Sequence, residues 1–301
     1  RLVPITALVA AVVLLVHCGN QPPEHFRFVF MTDIHLQPEL GAPEGFRRAI
    51  DSANALDPDF VLMGGDLIMG AADVSYERSV LQYDLFASAC SSFTMPVYMT
   101  MGNRELFGYA AGDEVGTDHP DYGKGMYRRR LGGGRSHYSF DHKGWHFMVL
   151  DDIGLTPHDT YIGVVDSSQL AWIRDDLAAV DTLTPIAVAL HIPLVSVYKQ
   201  MSVGGTEPMP PNLVVTNSRE VLDLFDRHTL RLVLQGHLHL VEEITYDGTT
   251  FLTGGSVCGA WWRGARDQFE EGFVVLDIEG DSVSWRYVDY GWEATVNGVE
   301  K

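Results

Sequence analysis

Five short, largely apolar runs each stop at a polar donor: Phe26 to Met31, Phe60 to Met63, Pro96 to Met101, Ile186 to Leu190 and Leu230 to Leu234. The donors that follow are Asp33-Ile34-His35, Gly65-Asp66, Gly102-Asn103-Arg104-Glu105, His191 and Gly236-His237-Leu238-His239. Runs of this length read as buried strands, and in an open α/β sheet ligands bind beyond the carboxyl ends of the strands. Two Asp, one Asn and four His at such ends supply seven N and O donors, which suits two divalent or trivalent ions better than one. A carboxylate has two oxygens, so Asp66 is the candidate bridge, while Asn103 adds a neutral carbonyl oxygen. Asp33 and His35 both turn inward if the chain bends as it leaves its strand. His237 and His239 are expected on the same side of an extended segment, with Gly236 keeping a side chain away from the ions.

Each piece alone has a plain structural reading. A histidine in a strand is usually a hydrogen-bonded core residue, Gly-Gly-Asp is usually a turn, and Asn after Gly is turn chemistry. The information lies in their order, each at a strand end.

The rest of the chain bounds the possibilities. At 301 residues with 46% hydrophobic content it can bury a large core, and a net charge of −19 argues against a nucleic-acid backbone or an acidic membrane face as the main partner. The cysteines, Cys18, Cys90 and Cys258, lack the spacing of a metal cluster. Apolar spacing predicts helices over Ala42 to Leu56, Ser75 to Ser91 and Asp166 to Val180, the last capped by Asp166 with Leu170, Ile173, Leu177 and Val180 on one face. Asn217 and Glu220 read as a capping box for a helix ending near His228. Hairpins are expected around Asp141-His142-Lys143-Gly144, at Asp247-Gly248 and around Glu279-Gly280-Asp281. Phe107 to Arg135 shows no period and reads as a long loop.

The ordered set Asp-x-His, Gly-Asp, Gly-Asn-x-Glu, His and Gly-His-x-His resembles the calcineurin-like metallophosphoesterase superfamily over roughly Phe26 to Val288. The resemblance implies a four-layer αββα sandwich, two mixed β-sheets flanked by helices. It further implies that Asp33, His35, Asp66 and His239 hold one ion and Asp66, Asn103, His191 and His237 the other. The implied activity is hydrolysis of phosphodiesters or phosphomonoesters, with a metal-bridging hydroxide attacking phosphorus in line; the implied partner is a phosphate-ester small molecule or lipid headgroup. Arg104 and His237 are the residues it puts in catalysis. Arg104 is a departure, because the commonest motif has His there; a guanidinium clamps two phosphate oxygens but is no general acid near neutral pH. Gly-Asn-Arg-Asp is similar to the motif of the UDP-diacylglucosamine pyrophosphohydrolases of the same superfamily. Met69 stands where the purple acid phosphatases of the superfamily carry a tyrosine ligand, which leaves Mn, Fe, Zn or mixed pairs as the cofactor. The contrasting reading is a non-enzymatic metal-containing protein of the cell surface.

Further pocket candidates are Trp262 within Trp261-Trp262-Arg263 as a substrate contact, the arginines of Tyr127 to Arg130, and Tyr198 with residues 201–212 as a lid. Their plain readings are a Trp closing the core and a solvated basic run. Arg1 to Val16 is apolar after one basic residue, so residues 1–20 read as a signal peptide or lipoprotein anchor with Cys18 as the lipidation site. Residues 21–301 read as a single catalytic domain, exported and periplasmic or cell-surface, tied to the membrane through its N-terminal lipid. His17 stands where the lipoprotein pattern has a small residue; membrane fractionation of a Cys18→Ser form decides the point.

Overall fold

The computed structural model describes residues 24–110, 115–158 and 160–294. Residues 1–20, with Cys18, lie outside the described residues. In chain order the elements are β1 (His25–Met31), α1 (Ala42–Ala55), β2 (Phe60–Gly64), α2 (Tyr76–Cys90), β3 (Val97–Thr100), a 3-10 turn (Asn103–Glu105), α3 (Gly125–Arg130), β4 (Tyr138–His142), β5 (Trp145–Val149), β6 (Ile153–Leu155), β7 (Tyr161–Gly163) and α4 (Ser167–Leu177). There follow β8 (Pro185–Ala189), α5 (Tyr198–Ser202), α6 (Ser218–Asp223), β9 (Thr229–Gln235), β10 (Val241–Tyr246), β11 (Thr249–Gly254), β12 (Gly272–Glu279) and β13 (Ser282–Asp289).

Two mixed sheets pack face to face with helices outside, the αββα sandwich. One sheet runs β13-β12-β1-β2-β3 and the other β10-β11-β9-β8-β5-β4. Strand alternation builds the layers: Phe26, Phe28 and Phe30 of β1 point between the sheets with Phe60, Leu62, Phe147, Leu232 and Leu276, while Val29 and Met31 join the second cluster with Phe46, Ile50 and Phe86 of α1 and α2. Phe28 pairs in register with Phe60 across parallel strands, their rings stacked at 4.8 Å. Each such fully buried phenyl contributes roughly 1.5–3 kcal/mol. Because β1, β2 and β3 are parallel to one another, and β5, β8, β9 and β11 likewise, the carboxyl ends of each set share one edge.

Local signals hold at most element ends. Ser75 caps α2 by accepting from the Arg78 amide, and Asp166 caps α4 by accepting from the Gln169 amide. Four expectations change. The Asn217 side chain caps nothing: its Oδ1 accepts from the Val165 amide at 3.1 Å and its Nδ2 donates to the Val165 carbonyl at 2.8 Å, so long-range bonds take the amide group, and α6 already ends at Asp223. Helix α4 stops at Leu177, short of Val180. Asp141 and His142 belong to β4, paired with His146 and Trp145, so the turn is Lys143-Gly144 alone. Finally, the stretch from Phe107 to Arg135 contains α3, too short for its period to stand out. Cys90 and Cys258 are both free thiols.

Candidate metal centre

The seven sequence-predicted donors come together at the shared strand edge, and the backbone there is unusual. Asp33 (φ 55), His35 (φ 46), Asp66 (φ 50), His237 (φ 71) and His239 (φ 54) all lie in the left-handed region. Asp and His tolerate that region better than most residues, and such clusters mark sites where surrounding structure over-determines the backbone. The bend expected at Asp33 and His35 is present. The segment from His237 to His239 is not extended, and its two rings diverge: His237 Nδ1 lies 3.2 Å from His191 Nε2, whereas His239 Nε2 lies 3.0 Å from His35 Nε2.

Two donor groups result, and they share Asp66. In the first, His239 Nε2 is 3.2 Å from Asp33 Oδ1, and His35 Nε2 is 3.8 Å from Asp33 Oδ1 and 3.6 Å from Asp66 Oδ2. In the second, His191 Nε2 is 3.3 Å from Asp66 Oδ1 and 3.2 Å from His237 Nδ1. Asn103 is buried and lines the cavity beside the donors, and its Oδ1, like Asp33 Oδ1, is shielded from solvent with no hydrogen-bond partner. Buried oxygens normally have partners. Two orphan oxygens among converging imidazoles are what a cation pair satisfies, so the residues fit the ions the sequence implies. The ligand atoms of Asp66, His191 and His237 lie within 4.8 Å of one another, as do those of Asp33, His35 and Asp66.

The far sides of three of the histidines and of both aspartates are tied down. Carbonyl oxygens only accept, so His191 Nδ1 donates to Gly64 O (2.8 Å), His239 Nδ1 to Gly259 O (2.6 Å) and His237 Nε2 to Asn212 O (2.9 Å), leaving the opposite nitrogens for an ion. Asp33 Oδ2 accepts from Thr32 Oγ1 (2.7 Å) and the His237 amide (2.9 Å), which turns Oδ1 inward. Asp66 Oδ1 also accepts from the Arg104 amide at 2.8 Å. Glu105 is fully buried and accepts four backbone N–H groups: Leu67 (2.7 Å) and Ile68 (3.2 Å) on Oε1, Gly102 (2.7 Å) and Asp66 (3.1 Å) on Oε2. It staples the loop carrying Asp66 to the loop carrying Asn103. Asp152, equally buried, receives the Ile192 amide (2.7 Å) behind His191.

Close approach explains two glycines. A Cβ on Gly102 would lie 2.3 Å from the Asp66 amide nitrogen, and one on Gly236 would lie 2.1 Å from Thr32 Oγ1 and 2.8 Å from Asp33 Oδ2. Gly236 therefore makes room for the support behind Asp33, and not for the ions directly as its position in the sequence suggests.

Electrostatics follow from burial and pairing. Burial alone would raise Asp33 and Asp66, but the surrounding imidazoles, His239 foremost for Asp33 and His191 for Asp66, hold both carboxyls below their ordinary range. Burial lowers His35 and His237 to about 4, so both rings are neutral at pH 7. At His191 burial also acts downward, but Asp66 outweighs it and the ring is raised to about 10. Burial, reinforced by Asp66, raises Glu105 to about 7; burial raises Asp152 to about 7. One prediction concerns His191. Its folded value lies above its ordinary 6.5, so it stabilises the metal-free fold fully below about 6.5 and that contribution is lost as pH rises through about 10. An ion needs the free base, so metal loading at pH 8 is expected to release about one proton. Calorimetric titration in buffers of different ionisation enthalpy measures this, and proton release of zero contradicts it.

Beside the donors lies a cavity of about 240 Å³ lined by Arg104, Tyr161, Lys199, Trp261 and Arg266 among others. Arg104, with its side chain 39% exposed, also lines an adjoining cavity of about 370 Å³ with Gln82, Tyr109 and Tyr161. Tyr198 does reach the first cavity. Trp262 does not: it is fully buried, its Nε1 donates to the His35 carbonyl at 3.0 Å and its ring packs at 6.0 Å from Trp292. The tryptophan at the site is its neighbour Trp261, 5.0 Å from the His239 ring. The arginines of α3 turn away: Arg130 pairs with Asp84 at 2.7 Å, Arg129 with Asp121 and the Pro120 carbonyl, and Arg128 bonds Ser136 at 3.3 Å. Sequence reasoning left no role for Glu105 and passed over Tyr161, Lys199 and Arg266. The Gly-Asn-x-Glu spacing was the available signal for Glu105; the others carry none.

Comparison with known proteins gives a consistent picture. The family model described as calcineurin-like phosphoesterase matches residues 26–241. No curated protein matches the chain. Among solved structures, a dimetal phosphatase from Danio rerio is similar with TM-score 0.63 at 13% identity, covering 89% of this chain and 96% of that one. The purple acid phosphatase PPD1 from yellow lupin (Lupinus luteus) seeds is similar with TM-score 0.54 at 17% identity, covering 88% and 52%. GAP50, the anchor in the inner membrane complex of Plasmodium, is similar with TM-score 0.52 at 15% identity, covering 88% and 85%. At these identities the likeness is one of fold.

Proposed function

Because the chain belongs to the calcineurin-like phosphoesterase family, we propose that it hydrolyses phosphate esters at a dinuclear centre in which Asp33, His35, Asp66 and His239 hold one ion and Asp66, Asn103, His191 and His237 the other. The observation that carries the proposal is the pair of donor groups sharing one buried carboxylate, with the buried, unpartnered oxygens of Asp33 and Asn103 beside them. Bound there, the ions would supply Lewis-acid charge for the phosphoryl oxygens and acidify a water.

The protein's own residues do the rest. Asp66 presents one oxygen to each group, its orientation held by the Arg104 amide. The carbonyl-anchored histidines keep fixed tautomers, so their free nitrogens are preorganised. Arg104 lies at the junction of the two cavities, where its guanidinium takes charge developing on the phosphoryl group; no acid–base role is assigned to it. The proposal retains export and lipid anchoring at Cys18, on the apolar run Leu2 to Val16 alone.

The test is a screen of the purified, Mn²⁺-loaded protein against bis-p-nitrophenyl phosphate, p-nitrophenyl phosphate, cyclic nucleotides and pyrophosphate-linked compounds. Turnover is expected, and Arg104→Ala is expected to lower kcat by about 10²-fold with unchanged metal stoichiometry. A protein that binds two ions and turns over none of these is instead a binding module, and an Arg104→Ala variant as fast as wild type assigns Arg104 to structure.

A further inference from the structure

Resting on the phosphoester reading, we propose that the substrate carries a second phosphoryl group beside the scissile one, held by Lys199 and Arg266. The chain has a net charge of −19, yet three cations, Arg104, Lys199 and Arg266, line the cavity over the donors against the single carboxylate of Asp66. Several cations outside the cavity are matched, among them Arg78 with Glu39, Lys124 with Asp151 and Arg231 with Asp281. Lys199 and Arg266 form no ion pair among the described residues and rest on aromatic faces, Lys199 Nζ 5.8 Å from the Tyr198 ring centre and Arg266 Cζ 5.1 Å from that of Trp261. The nearest carboxylate to Arg104 is Asp66, at 3.9 Å from Nε.

Two further donors in the same cavity wall lack acceptors. Arg104 Nε and Trp261 Nε1 are both shielded from solvent and unpartnered. Trp261 also holds a left-handed backbone, φ 53, as does its buried neighbour Trp262, φ 67. Two divalent ions balanced by Asp33 and Asp66 leave about the charge that one phosphoryl group neutralises. Arg104 serves that group. Two half-buried cations and an orphan indole N–H lining the same cavity are then surplus, and like charges sharing a cavity repel unless an anion joins them. A diphosphate supplies that anion, since its second phosphorus is one bridging oxygen away from the first.

Calorimetry on the full, Mn²⁺-loaded protein tests this without turnover, with methylenediphosphonate and methylphosphonate as probes. In Lys199→Ala/Arg266→Ala the wild-type preference for the diphosphonate is expected to fall by about 10- to 100-fold. The charge-keeping Lys199→Arg/Arg266→Lys form is expected to recover most of it, with both variants melting near wild type. A preference unchanged in the alanine form, or both probes weakened by the same factor, overturns the inference. Loss of preference in a protein that hydrolyses no ester would leave the subsite standing and sink the hydrolytic reading; hydrolysis with an unchanged preference would sink the subsite alone.

Discussion

Asp66→Asn is expected to abolish loading of both ions together and to lower kcat/KM by on the order of 10⁴-fold, the scale seen when one member of a catalytic unit is removed. The reason is positional. Asp66 Oδ1 must accept from the Arg104 amide at 2.8 Å, so the asparagine carbonyl takes that side and its NH₂ replaces Oδ2, which lies 3.6 Å from His35 Nε2. A donor group then faces one ion site, and the centre loses one of its two carboxylates. Asn103 cannot compensate, because it already contributes a neutral oxygen. His191 also loses the anion that raises it, so its affinity for a proton and its fixed orientation both weaken. Metal content by elemental analysis is the direct readout. Two ions per chain in the variant would refute the bridging assignment, whatever the rate.

The second large effect is expected at Glu105, which touches no ligand atom of the centre. Glu105→Ala leaves the amides of Asp66, Leu67, Ile68 and Gly102 without their acceptor, three of them on the loop that carries Asp66 and one on the loop that carries Asn103. Stranding buried donors of this kind costs roughly 3–5 kcal/mol, a fall in Tm of about 10 °C for a domain of this size. Measured at pH 8, above the value of about 7 to which burial raises Glu105, the wild-type carboxylate is ionised and all four bonds are in place. Glu105→Gln keeps the shape but turns an NH₂ toward two N–H groups, so it should fall between wild type and alanine. A metal-free melt within about 2 °C of wild type for the alanine form would show that the two loops hold their positions without this staple.

These two positions show where sequence reading reached and where it stopped. Asp66 was legible as the candidate shared by two donor groups from its residue type and its place after a strand, because a carboxylate at a strand end is a local fact. Glu105 sits in the same motif as Asn103, yet three of its four partners are 37 to 39 residues away, so only the folded loops disclose its work. The capping box at Asn217 failed for a similar reason: a partner 52 residues distant took the side chain that local spacing assigned to the helix end.

By itself, the sequence carried the strands, the helices and the candidate donors at the strand ends, since strand periodicity, turn residues and ligand chemistry are carried by neighbouring residues, while the layered architecture followed from the family resemblance. Tertiary structure decided which walls the site has. Trp261 and Trp262 are adjacent, and both have positive φ, so no strand alternation tells which one faces the cavity; the long-range bond from Trp262 to His35 does. Likewise the basic run of α3 is spent on Asp84, Asp121, Pro120 and Ser136, while the isolated Lys199 and Arg266 reach the site. Charge that serves a pocket is chosen by where distant loops converge, and that convergence has no local signature.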